Sequence, residues 1–292
     1  MTILIDKLAG MQTKPSAISR YIFLLAGVLF THNVMANSLL TIFPEGDKPS
    51  AFVFFLLTIL ALFIALAVHE LGHLLTGLAQ GFRLELFVVG PLGIKRTDKG
   101  IKFYLNKNIG MMGGVAATIP VKQSRDNRKK FALMVLAGPL ASLIFGLLAF
   151  VILNLCTSGA ARGFWVVAGA CSLGLVLATT LPRKTGIYFT DRARFQRLIS
   201  KGKAGEIEEA LLTMMSQYTI DQSSKNIDLS LARLVQTDQE AFMRFWGYYY
   251  EYQYYKDNAL EQDTETAKKK LLAVKADMSP QVWKMLKIDE AA

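Results

Sequence analysis

AFVFFLLTILALFIALAVHELGHLLTGLAQ, residues 51–80, is the stretch that decides the fold. From Ala51 to Val68 it holds no charged residue and no proline. A helix of about 20 such residues crosses the hydrocarbon layer of a bilayer. The run then carries His69, Glu70 and His73 into its last turns. Ionisable groups inside a membrane helix are costly and by default functional. Three of them within five positions argue for a site rather than for packing.

The rest of the chain agrees with a membrane protein. Of 292 residues, 52% are hydrophobic and only 19% charged, against about a quarter charged in ordinary soluble domains. Three further stretches approach spanning length, at about 21–43, 131–156 and 164–181. The first could instead be a signal peptide. Lys7, Lys14 and Arg20 precede it and Val34-Met35-Ala36 offers a small-residue cleavage site. The apolar run continues through Leu39, Leu40 and Ile42, which favours a retained helix.

The net charge of +10 is concentrated in loops. Lys95, Arg96, Lys99, Lys102, Lys107, Lys122, Arg125 and Arg128 to Lys130 lie between the second and third apolar stretches, whereas the link after the third carries only Arg162. This distribution reads as membrane topology, with both termini and the large central loop cytoplasmic, and not as a nucleic-acid surface. The expected organisation is a cytoplasmic tail over 1–20, a transmembrane core over 21–191 and a cytoplasmic helical domain over 192–292.

Within the central loop, 82–105 alternates polar and apolar residues on either side of Gly90-Pro91, as a β-hairpin or small sheet at the membrane surface would. Gly110, Gly113 and Gly114 read as a flexible or closely packed stretch before Pro120. Beyond Arg192 the charges become dense and Ile207, Ala210, Leu211 and Met214 take helical spacing. Further helices are expected over about 239–256 and 264–275. The tyrosines between Tyr248 and Tyr255 suit either a binding groove or packing between helices. Cys156 and Cys171 both fall in or beside apolar segments and read as free thiols.

His69-Glu70-Leu71-Gly72-His73 has the H-E-x-x-H spacing. Residues i and i+4 share a helix face, so both imidazoles can reach one ion, and the glutamate beside them can take a proton from a water. Only three histidines exist in the chain and two are here. The other, His32, has no partner at ligand spacing. A catalytic zinc takes three protein ligands and keeps one open position, so the third ligand should be a carboxylate. Asp191 follows the fourth apolar stretch on the side where His69 and His73 end theirs. Glu85, Asp98 and Asp126 are its rivals.

The sequence resembles the site-2 protease family (M50) of intramembrane zinc metalloproteases. The likeness covers about 51–195: the His69–His73 motif, Gly81-Phe82, Gly90-Pro91, Gly113-Gly114 with Pro120, and Ala137-Gly138-Pro139-Leu140-Ala141-Ser142. In that family the third ligand is an aspartate after a helix that ends in a proline motif, which Pro182 and Asp191 match. The resemblance therefore implies one Zn2+ held by His69, His73 and Asp191, with Glu70 as the catalytic base. Thr179 stands where many members have asparagine, and Arg192 where glycine follows the aspartate. No PDZ-like insertion is visible.

The fold class implied is an α-helical integral membrane protein of about four spans, with a surface hairpin and a helical C-terminal domain. The function implied is hydrolysis of membrane-embedded or membrane-associated peptides and proteins near the cytoplasmic face, in a bacterial inner membrane. Gly90, Pro91 and Thr179 are candidates for gripping the substrate, and the 83–105 hairpin for receiving it as an added strand. The alternatives are a non-catalytic scaffold that binds a partner through its C-terminal domain, and a metal transporter, which four helices without internal duplication disfavour.

Overall fold

The computed structural model describes residues 47–97, 99–108, 111–181, 184–185, 188–275 and 283. The expected first span over 21–43, His32, Asp98, Gly110 and Pro182 lie outside the described residues.

Among the described residues three helices are long and apolar enough to cross a membrane: α1 (Ala51–Ala79), α2 (Asn127–Leu155) and α3 (Gly159–Thr180), with mean hydropathies of 3.0, 2.5 and 1.7 over their most apolar windows. α1 and α3 begin at a serine cap. The Ser50 hydroxyl accepts from the Val53 amide and caps α1. Ser158 does the same for Ala161 at the head of α3. Both α2 and α3 start four or five residues earlier than hydropathy alone indicates. The charged turn Arg128 to Lys130 winds into α2, because long basic side chains can sit on a helix end and still reach water.

The three helices pack through small residues and aromatic rings. A methyl group at Gly72 would lie 2.6 Å from the Ala137 carbonyl oxygen, so α1 and α2 touch nearly backbone to backbone. Phe54 and Ala61 of α1 share a core with Val166, Val167 and Ala168 of α3. Outward, Phe52, Leu60, Leu75, Leu133, Leu147, Val151 and Leu177 are exposed. Exposed apolar surface on this scale belongs to a chain solvated by lipid.

Between α1 and α2 runs an antiparallel sheet in the order β3-β2-β1-β4. Its strands are β1 (Phe82–Val89), β2 (Leu92–Thr97), β3 (Gly100–Leu105) and β4 (Val115–Pro120). β1, β2 and β3 are the alternating segments anticipated above. β4 lies where glycines suggested only a flexible or packed stretch. It pairs with β1 from Phe82↔Pro120 to Val88↔Val115, with an irregularity between Leu84 and Leu86. On β3, Ile101, Phe103 and Leu105 expose one apolar face together with Leu92 of β2.

After α3 a two-stranded ribbon, β5 (Lys184–Thr185) and β6 (Tyr188–Phe189), leads into five helices. These are α4 (Asp191–Ile199), α5 (Lys203–Asp221), α6 (Leu229–Gln236), α7 (Ala241–Asp257) and α8 (Glu261–Ala273). α5, α7 and α8 fall where periodicity suggested helices. Most of the α7 tyrosines pack between helices: Tyr250 joins Ile207, Leu211 and Val235, and Tyr252 joins Phe245 and Leu271. Leu198 of α4 and Leu212 of α5 are buried with Phe82, Ala132, Met134 and Val135. The C-terminal helices therefore share a core with β1 and the N-terminal end of α2.

Candidate metal centre

α1 places His69 and His73 one turn apart, with the rings edge to face and their centroids 4.9 Å apart. Both are buried, at 4% and 8% exposure. α2 holds the far nitrogen of each ring. His69 Nδ1 lies 2.9 Å from the Ser142 hydroxyl, and His73 Nδ1 lies 2.8 Å from the Met134 carbonyl oxygen. A carbonyl can only accept, so His73 Nδ1 carries the proton and the neutral ring presents a lone pair at Nε2. The Ser172 hydroxyl of α3 donates to the Ser142 carbonyl at 2.8 Å, which ties the third span to the same point.

The two Nε2 atoms face each other at 3.3 Å. Asp191, the first residue of α4, closes the group. Its Oδ2 is 3.2 Å from His69 Nε2 and its Oδ1 is 3.5 Å from His73 Nε2. One ligand atom from each of the three residues lies within 4.8 Å of the others. Burial pushes the Asp191 carboxyl up, but in the metal-free chain the two imidazoles beside it, when protonated, outweigh that effect and bring it down to about 2.

These residues fit a metal. Asp191 Oδ2 is buried and accepts no hydrogen bond, which is costly for a carboxylate oxygen unless a cation meets it. Two imidazole lone pairs and a carboxylate aimed at one point repel one another without a positive charge between them. The donor set, two nitrogens and one carboxylate oxygen, is that of a catalytic zinc.

Glu70 lies beside this group, 8% exposed, and its carboxylate is hydrogen-bonded by the backbone of Ala116 in β4. Gly114 sits against it with φ +102°, and a methyl group there would lie 2.5 Å from Glu70 Oε1. Position 114 thus needs glycine both for its backbone conformation and for the space it leaves. Gly138 leaves similar room for the His73 ring, which an added methyl group would strike.

The rival carboxylates are engaged elsewhere. Glu85 pairs with Arg83 at 2.7 Å on β1, and Asp126 lies near Lys129 at 3.9 Å with most of its side chain in solvent. The three substrate-binding candidates are not brought into the group. Gly90, with φ +55°, and Pro91 make the β1–β2 turn, fastened by Asn106 and packed on Phe63. The Thr179 hydroxyl donates to Leu175 O within α3. Sequence reasoning missed Ser142, the Met134 carbonyl, Ser172 and the Ala116 backbone. Ser142 stood in a quoted motif but carried no role, because its partner is 73 residues away.

A profile of peptidase family M50 matches residues 57–287. A protein of Chlamydia pneumoniae named "Putative zinc metalloprotease" is 31% identical over 121 residues, which is 35% of this chain and 20% of that protein. The chain thus spans about a fifth of that relative's length. No solved structure matches the chain.

Proposed function

The chain belongs to peptidase family M50, and we propose that it is a zinc endopeptidase that hydrolyses membrane-embedded or membrane-associated peptides and proteins near the cytoplasmic face. The observation that carries this reading is the convergence of His69, His73 and Asp191, with Glu70 beside them. The two histidines and Asp191 hold the metal, and Glu70 is the base. Zinc bound there would acidify a water and polarise the scissile carbonyl. Glu70 accepts the proton of the attacking water and passes it to the amine as the C–N bond breaks. Ser142 and the Met134 carbonyl keep the imidazoles turned inward throughout.

A helical substrate hides its carbonyls in hydrogen bonds and must be extended before it can be cut. We assign its seat to the outer edge of β4. That edge is the end of the sheet nearest Glu70, since Ala116 and Gly114 both touch its carboxylate. The hairpin edge at β3, the seat suggested by the alternation of residues 83–105, lies at the other end of the sheet. The cytoplasmic orientation rests on the basic residues between α1 and α2, and a bacterial inner membrane is the compartment proposed.

The test is Glu70→Gln in detergent-solubilised full-length chain with a transmembrane-helix substrate. Cleavage should fall by at least about 100-fold while metal analysis still finds one zinc per chain. Cleavage at the wild-type rate removes Glu70 as the base. Absence of zinc from the wild type removes the metal centre.

A further inference from the structure

α4 has nine residues, too few to hold a helix by itself, yet it delivers one of the three ligands. Asp191, Arg194, Phe195 and Leu198 follow the i, i+3, i+4, i+7 pattern and share one face. Phe195 and Leu198 pack with Met134 and Val135, and Met134 is the residue whose carbonyl holds His73.

The charged partners of the α4 arginines come from the C-terminal helices. Glu208 of α5 is 0% exposed and takes two arginines of α4, Arg194 at 2.8 Å and Arg197 at 2.8 Å. Arg197 also binds Asp238, at the end of α6. Phe189 of β6, just before Asp191, lies under both guanidinium groups, 5.7 Å from Arg194 Cζ and 4.8 Å from Arg197 Cζ. Two positive and two negative groups balance in a buried cluster that begins three residues from the ligand.

The lever is short. A carboxylate on a helix surface lies about 5–6 Å from the axis, so rotation of α4 by about 20° moves it by about 2 Å, the length of a zinc–oxygen bond. We propose that Glu208 and Asp238 are positioning residues for the metal centre: through Arg194 and Arg197 they set the rotation of α4 and hold the Asp191 carboxylate on the two imidazoles. The contacts of Glu208 and Asp238 with these two arginines are then part of the zinc site, and whatever loosens them disturbs the third ligand. This rests on the metal-centre reading above.

The experiment compares full-length wild type, Glu208→Gln, Asp238→Asn, Asp191→Ala and Leu271→Ala in detergent. Leu271 is fully buried in the α7–α8 core, away from the arginines, and controls for loss of stability alone. Zinc affinity is read by competition with a chelator, and ligand geometry by the visible spectrum of the cobalt-substituted protein. Glu208→Gln should bind zinc about ten- to a hundredfold more weakly, with a cobalt spectrum shifted towards that of Asp191→Ala. Asp238→Asn keeps both Glu208 contacts, so it carries the same expectation in smaller measure should Glu208→Gln not fold. Leu271→Ala should melt earlier and keep the wild-type affinity and spectrum. Wild-type affinity and spectrum in Glu208→Gln or, where that variant does not fold, in Asp238→Asn overturn the positioning role and leave the metal centre standing. So does a loss in Leu271→Ala equal to theirs. A wild type without zinc overturns both.

Discussion

His73 has no freedom to swing. Its Nδ1 is held by the Met134 carbonyl, its ring edge meets His69, and on the α2 side it occupies the space left by the missing side chain of Gly138. Gly138→Ala should therefore push the ring off its tautomer-fixing partner. The expected result is zinc affinity weakened at least about tenfold, with an overpacking cost of about 1–3 kcal/mol. Chelator competition and thermal melting read the two effects separately, and an unchanged affinity would show that the ring has somewhere else to go. Asp191 allows a pH test on the metal-free chain. Its carboxyl sits at about 2 instead of 3.8, so its stabilisation is present above about pH 4 and is lost as pH falls from about 4 towards 2. The shift corresponds to about 2 kcal/mol. The difference in unfolding free energy between wild type and Asp191→Asn should shrink over that interval. A difference that stays flat or grows in acid contradicts the assignment.

At the scale of elements, β4 brings the sheet to the site. In an antiparallel edge strand, successive residues point their backbone groups alternately to the neighbour and outward, and the Ala116 backbone reaches Glu70. Proline is tolerated on an edge strand where the lost N–H faces away from the ladder. Ala116→Pro should thus keep the sheet and the zinc while removing the donor that holds the Glu70 carboxylate. Cleavage of a transmembrane substrate should fall at least about tenfold, and zinc content should stay at the wild-type value. Wild-type cleavage would show that Glu70 needs no support from β4. This strand was hard to read in advance because Val115-Ala-Ala-Thr-Ile-Pro120 is made of small residues without a large apolar alternation, next to glycines. α1 was legible because one run combined spanning length with a ligand spacing. Asp191 was legible as the favoured of several carboxylates, from its place after the fourth apolar stretch and from the proline motif of the family it resembles. What separates it from Glu85 and Asp126 is that Arg83 and Lys129 lie beside those two. The arginine cluster behind it left no trace in the sequence, since it joins positions 194 and 197 to 208 and 238. Breaking such a buried pair from one side costs about 3–5 kcal/mol, a large share of a domain's stability, yet no local pattern announces it.

At the scale of the whole molecule, the two native cysteines report the depth and orientation of the metal centre. α2 carries Met134 and Ser142, which hold the imidazoles, and ends at Leu155 with Cys156 as its cap. Ser142 and Cys156 are 14 residues apart, so at 1.5 Å per residue the cap lies about 21 Å beyond the site along the helix axis. That distance is most of a hydrocarbon layer about 30 Å thick. With the α2–α3 link at one face of the bilayer, as the proposed topology has it, the metal centre lies within the layer and nearer the basic loops than that link. Both thiols are free and partly buried, but Cys171 lies in the middle of α3 whereas Cys156 lies in the link itself. With the basic loops cytoplasmic, a membrane-impermeant maleimide should label Cys156 on right-side-out spheroplasts, and Cys156→Ser should abolish the label. Inside-out vesicles should take up none. Labelling of Cys156 in inside-out vesicles alone would reverse the orientation and move the metal centre towards the outer face. Strong labelling of Cys171 would mean that α3 is open to water and that the three helices do not seal the site from solvent. Either result would change which side of the membrane can present a substrate to Glu70, while leaving the three ligands where the packing of α1, α2 and α4 holds them.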